Sequence, residues 1–237
     1  MGKKLVILKN NLMSIKKFLP RGLNNNKMSY KFGQIEISKK EFNSVYKVIT
    51  DIELDKIRIS EGNLANQHDT RYTIGYETEP GKVIPLYIKT PKNCHSLGCQ
   101  QYDKNSAWKM GFDVSDDERW IIKFKAICDE IESLILQKLS SAPLNREKYI
   151  NPKLINWEDK CHTRFNGELI NPEDLKGLYC KATGVLKLAS VYRQKSDYYL
   201  QVFLKECKFK KSNIKFQNML TDSEDDSEDE EGYDTVF

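Results

Sequence analysis

Two adjoining runs near the C-terminus constrain the fold most. Residues 178–192 and 198–208 alternate apolar and polar side chains, joined through Arg193-Gln194-Lys195-Ser196 and Asp197. A period of two marks a strand with one buried face. A connection this short joins antiparallel neighbours. Leu178, Cys180, Ala182, Leu186 and Leu188 fall on one face of the first run, with Tyr179, Lys181, Thr183, Lys187 and Arg193 on the other. On the second run Leu200, Val202 and Leu204 oppose Tyr199, Gln201, Phe203 and Lys205. Turning both apolar sets inward leaves an outer surface of Tyr179, Lys181, Lys187, Arg193, Tyr199, Phe203 and Lys205.

Upstream, residues 34–37 and 45–59 alternate and are rich in β-branched side chains (Val45, Val48, Ile49, Ile52, Ile57, Ile59) until Gly62-Asn63. RYTIGYE (71–77) and VIPLYIK (83–89) flank Pro80-Gly81, a hairpin signal. Pro85 places the second of these strands at an edge or a bulge. Residues 106–114 set Trp108, Met110 and Phe112 against Ala107, Lys109 and Gly111. The strongest helix follows. Ser115 and Glu118 have capping-box spacing, and Trp120, Phe124, Ile127, Ile131, Leu134 and Ile135 form one apolar stripe that ends near Ser140 and Pro143. Residues 144–175 read as irregular, punctuated by Pro152, Asn166-Gly167 and Pro172. Several strands, one long amphipathic helix and a closing hairpin predict an α+β, mainly β chain. Its expected form is an OB-fold-like Greek-key barrel with the helix between the third and fourth barrel strands. A plain α+β sandwich is the alternative.

Charge divides the chain into three parts. Residues 1–29 form a basic arm, 30–212 the folded domain and 213–237 an acidic tail expected to be disordered. The first 35 residues hold no acid and eight basic side chains, with Leu5, Leu8, Leu12, Ile15 and Leu19 at helical spacing. A flexible basic arm, a targeting peptide and an extension ahead of Met28 all fit them. At the other end, TDSEDDSEDEEGYDTVF (221–237) carries nine carboxylates and no Lys or Arg. Of 34 acidic residues 25 therefore remain before it, against 38 basic ones, an excess of 13 positive charges. A basic body with an acidic arm predicts a polyanion binder that carries a competitor for its own site. Six scattered Cys and no visible secretory signal predict reduced thiols inside a cell. No run of 18 apolar residues exists, so no helical membrane span is expected.

The chemistry that stands out is basic and aromatic residues interleaved on strands. Rings stack on unpaired bases of any sequence, and Lys and Arg follow the phosphates. The surface of the last hairpin extends in this reading through Tyr87, Lys89 and Lys92 to Tyr102, Lys104, Trp108 and Lys109. Cys94, His95, Cys99, Cys161 and His162 include four potential zinc ligands, but C-H-x3-C is not a standard zinc spacing, so no metal is expected. There is no GxxxxGK[ST], GxSxG or HExxH, and three histidines staff acid–base chemistry thinly. Neither catalysis nor a cofactor is expected. Ser223 and Ser227 are followed at the third position by Asp226 and Glu230, the pattern acidophilic kinases prefer.

The acidic run ending in GYDTVF resembles the tails of bacterial and short-tailed-phage single-stranded-DNA-binding proteins, with Val236 where the bacterial proteins have Pro. The body resembles the single-stranded-DNA-binding proteins of large cytoplasmic DNA viruses. The similar segments are YIKTPKNCHSLGCQQYDKNSAWKMGFDVS, the helix after it, and GLYCKATGVLKLASVYRQKSDYYLQVFLKECKF. The resemblance implies non-catalytic coating of single strands in replication, recombination or repair. It implies replication partners docked through Tyr233, Val236 and Phe237, and a viral replication compartment in host cytoplasm, with nucleus or organelle as alternatives. Homo-oligomerisation is left open, and no membrane partner is implied. An acidic-tailed interaction protein or histone-type chaperone, and an RNA binder, are the competing readings.

Overall fold

The computed structural model describes residues 28–64, 69–104, 106–141, 149–157 and 160–211. Residues 1–27 of the basic arm, the whole acidic tail 213–237 and His68 lie outside these residues, and the folded part begins within the stretch read as arm, with Ser29 opening a strand.

Five long strands carry the architecture. In chain order they are Thr70–Glu79, Lys82–Lys89, Cys94–Gln100, Lys176–Gln194 and Asp197–Lys211, and the long helix Glu118–Ile135 falls between the third and the fourth. The fourth strand organises the rest. One edge pairs with the fifth strand from Cys180↔Lys211 to Gln194↔Asp197. The other edge serves three strands in succession: Lys176–Ala182 against the third, Val185–Leu188 against the second and Ser190–Arg193 against the first. The third strand pairs with Lys109–Met110, Lys109 pairs with Lys153, and Lys153–Leu154 runs parallel to Phe203–Leu204 of the fifth strand. That last pairing closes a ring of five strands. The chain is therefore mainly β, an OB-like barrel with one long helix, and closure leaves none of the five ring strands at a free edge.

The alternation read from the sequence survives because bulges absorb the bending. Lys205 has no opposite residue between Val185↔Glu206 and Leu186↔Leu204, and Ala189 has none between Leu188↔Val202 and Ser190↔Gln201. An extra residue raises the local twist and lets a long hairpin curve around a core. In the third strand, Gly98 and Cys99 both face Lys176. Gly98 sits at φ +74°, and a Cβ there would lie 2.2 Å from the Leu175 carbonyl oxygen. This bulge carries Leu97 outward, Cys99 inward and Gln100 outward again.

The barrel interior holds Phe112, Phe165, Leu86, Leu154, Leu186 and Leu204 among its fully buried side chains. The helix adds Phe124, Ile127, Cys128 and Ile131. Each such burial contributes roughly 1.5–3 kcal/mol. Three expectations are corrected. The helix is capped by Asp117, whose carboxylate accepts from the Trp120 amide at 2.9 Å, not by Ser115. It ends at Ile135, where Leu136 turns left-handed (φ +53°), and Leu134 is exposed instead of completing the stripe. Residues 45–59 form a strand only at Ile57–Ile59, which pairs with Tyr76–Ile74, while Val48 makes just an isolated bridge to Tyr87. Before it, the chain makes a hairpin (Ser29–Phe32 with Ile35–Ser38) and a short helix, Lys39–Ser44, held by a small core of Phe32, Phe42 and Val83. It then crosses the outside of the barrel. Pro85 stands where pairing of its strand passes from Gly75 of the first strand to the fourth strand at Leu86.

Candidate nucleic-acid interface

Strand register assembles a single outward row across six strands: Tyr87↔Lys187↔Phe203↔Lys153↔Lys109↔Gln100. The residues beside them in sequence, Leu86, Leu186, Leu204, Leu154, Met110 and Cys99, are buried, so the row lies on the barrel's outer face. At the usual strand spacing it spans about 24 Å. Four of the six residues were named from sequence. Lys153 was missed because it stands in a stretch that reads as irregular and becomes a strand only when the fifth strand pairs with it.

The row's two ends differ. At one end the chain crossing the barrel covers it, which corrects the expectation of an exposed ring at Tyr87. Tyr87 is 4% exposed, the Tyr46 ring meets it edge-on at 4.9 Å, and its carbonyl accepts from the Ile49 amide. Tyr46 itself is 45% exposed, with the Lys205 ammonium 5.9 Å from its ring centre. Burial, then the charge and hydrogen bond of Glu206, push its phenol up to about 12. Nothing in the local pattern around Tyr46 marks it as a surface ring. Lys187 lies over Tyr87 at 5.8 Å and donates to the Asn43 side-chain oxygen at 3.1 Å. Burial, and then the neighbouring Lys205, lower its ammonium to about 8. Burial, and then Lys109 and Arg71, also lower Lys153. Among the described residues neither Lys187 nor Lys153 has a carboxylate within ion-pair distance.

A second row, Arg71↔Tyr192↔Tyr199, runs alongside. The Arg71 guanidinium sits 5.6 Å from the Tyr192 ring centre, and Tyr192 donates to Asp69. Arg193 is exposed at the hairpin tip and lies over the Tyr198 ring at 5.8 Å. A third row, Tyr149↔Asp113↔His95↔Lys181↔Lys210, crosses the far end of the barrel. There the Tyr179 hydroxyl and His95 Nδ1 are 2.7 Å apart, with the rings stacked at 5.5 Å. Burial raises the Asp113 carboxyl, but hydrogen bonds from Ser115 and Tyr149 and the nearby His95 outweigh it, and its pKa is lowered overall.

Between the first and third rows opens a cleft of about 860 Å³, lined by Leu97, Gln100, Tyr102, Lys109, Asn151, Lys176 and Tyr179 among others. A smaller hollow of about 360 Å³ continues it to His95, Asp113 and Tyr149. Tyr102 is 97% exposed. Its turn is held by Ser106, whose amide and hydroxyl both donate to Asp103. Lys89, Lys92 and Lys104 are exposed, but none belongs to these rows. Trp108 packs against the core, and its carbonyl accepts from the Leu154 amide.

The thiols face inward. Cys94, Cys99, Cys128, Cys180 and Cys207 are buried and Cys161 is half-buried. Burial pushes Cys94 up to about 11 and Cys99 and Cys128 to about 12. Among the described residues no group of three or more His, Cys, Asp or Glu is placed to hold a metal ion. No described helix is long and apolar enough to cross a membrane. Ser223, Ser227, Tyr233, Val236 and Phe237 lie outside the described residues. Neither a protein-family model nor a curated protein sequence matches the chain.

Proposed function

We propose that this protein binds single-stranded DNA with little sequence preference and without catalysis. Its role would be in replication, recombination or repair, in the cytoplasmic compartment where a large DNA virus copies its genome. The observation that carries this reading is the outward row of Lys187, Phe203, Lys153 and Lys109, with the exposed Tyr46 ring over its covered end at Tyr87, flanked by Arg71, Tyr192 and Tyr199. Rings set among cations suit bases that are free to stack and phosphates that follow beside them. A duplex keeps its bases stacked on one another and offers such rings nothing.

The two half-buried lysines add a second argument. Holding an ammonium out of water without a counter-ion costs stability, and an anionic ligand recovers that cost. Lys187 and Lys153 are in that state, on the same row.

The test is a titration of labelled poly-dT, duplex DNA and RNA at several salt concentrations. Poly-dT should bind most tightly, its log affinity falling by about 0.7 per neutralised phosphate for each tenfold rise in salt. Equal or tighter binding to duplex would overturn the reading, and tighter binding to RNA would move it to an RNA-binding protein.

A further inference from the structure

We infer that the cleft beside the third strand holds one unpaired base of the bound strand and favours adenine there. The inference rests on the single-strand reading above and adds a base-reading position to it.

Three features of the cleft point to a base. First, its walls are aromatic and apolar: Tyr102, Tyr179 and Leu97 line it. Tyr102 is 97% exposed, and Leu97 is 52% exposed although it stands on a strand. An open ring at Tyr102 and open apolar surface at Leu97, beside a polyanion track, suit a flat ligand.

Second, the cleft holds two side-chain amides without other work. Gln101 lines it too, but its amide nitrogen donates to the Ser106 carbonyl at 2.7 Å. The side chains of Gln100 and Asn151 make no hydrogen bond among the described residues, and both line the large cleft and its smaller continuation. An amide presents a donor and an acceptor side by side. That pair matches the adjacent amino group and ring nitrogen of adenine, which Asn and Gln bind bidentately.

Third, charge orders the cleft. Lys109 and Lys176 line the large part, while Asp113 lies in the smaller hollow with its carboxylate held ionised by Ser115, Tyr149 and His95. A phosphate is drawn to the lysines and kept from Asp113, so a nucleotide enters base-first toward the amides. Gln100 is also the terminal residue of the outward row, next to Lys109. The cleft is thus continuous with the track proposed for the backbone.

The experiment uses the full chain and fluorescence anisotropy at one salt concentration. The probes are an oligo-dT of fixed length and the same oligonucleotide with one internal dA, dC, dG or abasic position. A non-specific binder slides, so one dA anywhere in the interior finds the cleft. It should tighten binding at least about fivefold over oligo-dT, and a second dA elsewhere should add less than twofold. The double variant Gln100→Ala, Asn151→Ala should lose the gain from dA, so that it binds the dA probe and oligo-dT with the same affinity. Both residues are exposed, and an unchanged melting temperature confirms that the fold is kept. Tyr102→Ala should weaken both probes alike, because stacking does not read the base edge. If oligo-dT binds but dA adds nothing, or the double variant keeps the gain, the base site is wrong while the single-strand reading stands. If no single-stranded probe binds, both fall.

Discussion

Lys187 shows what the proposed function costs at a single residue. Its ammonium is buried against Tyr87, beside Lys205, and among the described residues is bonded only to the Asn43 amide oxygen. In the folded protein it gives up its proton near pH 8, whereas the unfolded chain keeps it to about 10.5. Below pH 8 both states hold the proton and the folded state bears the full penalty. Between about 8 and 10.5 only the unfolded state holds it, so stability should rise with pH across that window. Lys187→Met keeps the stem and removes the charge. It should stabilise the protein at pH 7 by up to roughly 3 kcal/mol, the equivalent of that lowering. The gain should shrink to near zero by about pH 10.5, as read from urea midpoints against pH. The same variant should weaken oligonucleotide binding. A loss of stability at pH 7 would contradict the account. Gly98 is the opposite kind of residue, needed for geometry alone. Gly98→Ala should cost more than about 2 kcal/mol, because both the positive φ and the Leu175 carbonyl exclude a Cβ.

At the scale of elements, the long helix is the part most nearly legible without a structure, and its ends show where legibility stops. The stripe Phe124, Ile127, Ile131 is buried as its spacing requires. The N-cap is not the Ser of the apparent capping box but Asp117, because the chain leaving Val114 makes a turn in which the Asp117 amide donates to the Val114 carbonyl. Asp117→Ala should therefore cost about 1 kcal/mol. At the other end Leu136 adopts a left-handed conformation with its side chain 84% exposed. Leu136→Gly should stabilise the protein by about 0.5–1 kcal/mol, since glycine bears no Cβ penalty there and little packing is lost. Thermal denaturation of the two variants, with opposite signs expected, checks both assignments. The short strands of 149–169 were unreadable for a different reason. Two residues carry no period, and Lys153–Leu154 becomes a strand only by lying between Lys109 and Phe203.

At the scale of the whole molecule, a body with an excess of 13 positive charges carries nine tail carboxylates on one chain. Tethering holds those carboxylates at high local concentration near any cationic track on the body. Removing residues 221–237 should therefore tighten single-strand binding, most at low salt where screening is weak. Phe237→Ala should leave DNA affinity nearly unchanged, because it alters no charge, and should weaken only the docking of a partner protein. Anisotropy titrations of the three proteins at two salt concentrations separate these effects. Weaker DNA binding on truncation would remove the competition model.

The sequence by itself determined which face of the last two long strands is apolar, where the long helix lies and how charge is divided along the chain, whereas the third long strand, Cys94–Gln100, read as a loop. These are local properties, carried by a period of two, a period of 3.6 and a count of ionisable groups. Only the tertiary structure decided which residues from different strands share a row. Tyr87, Lys187, Phe203 and Lys109 were readable one by one. Their alignment follows from bulges at Lys205, Ala189 and Gly98 and from barrel closure through Lys153. The burial of Tyr87 under Tyr46 and the amides of Gln100 and Asn151 in one cleft were likewise beyond reach. Each depends on where segments distant in sequence come to rest, and register is set by the packing of the whole core rather than by any one strand.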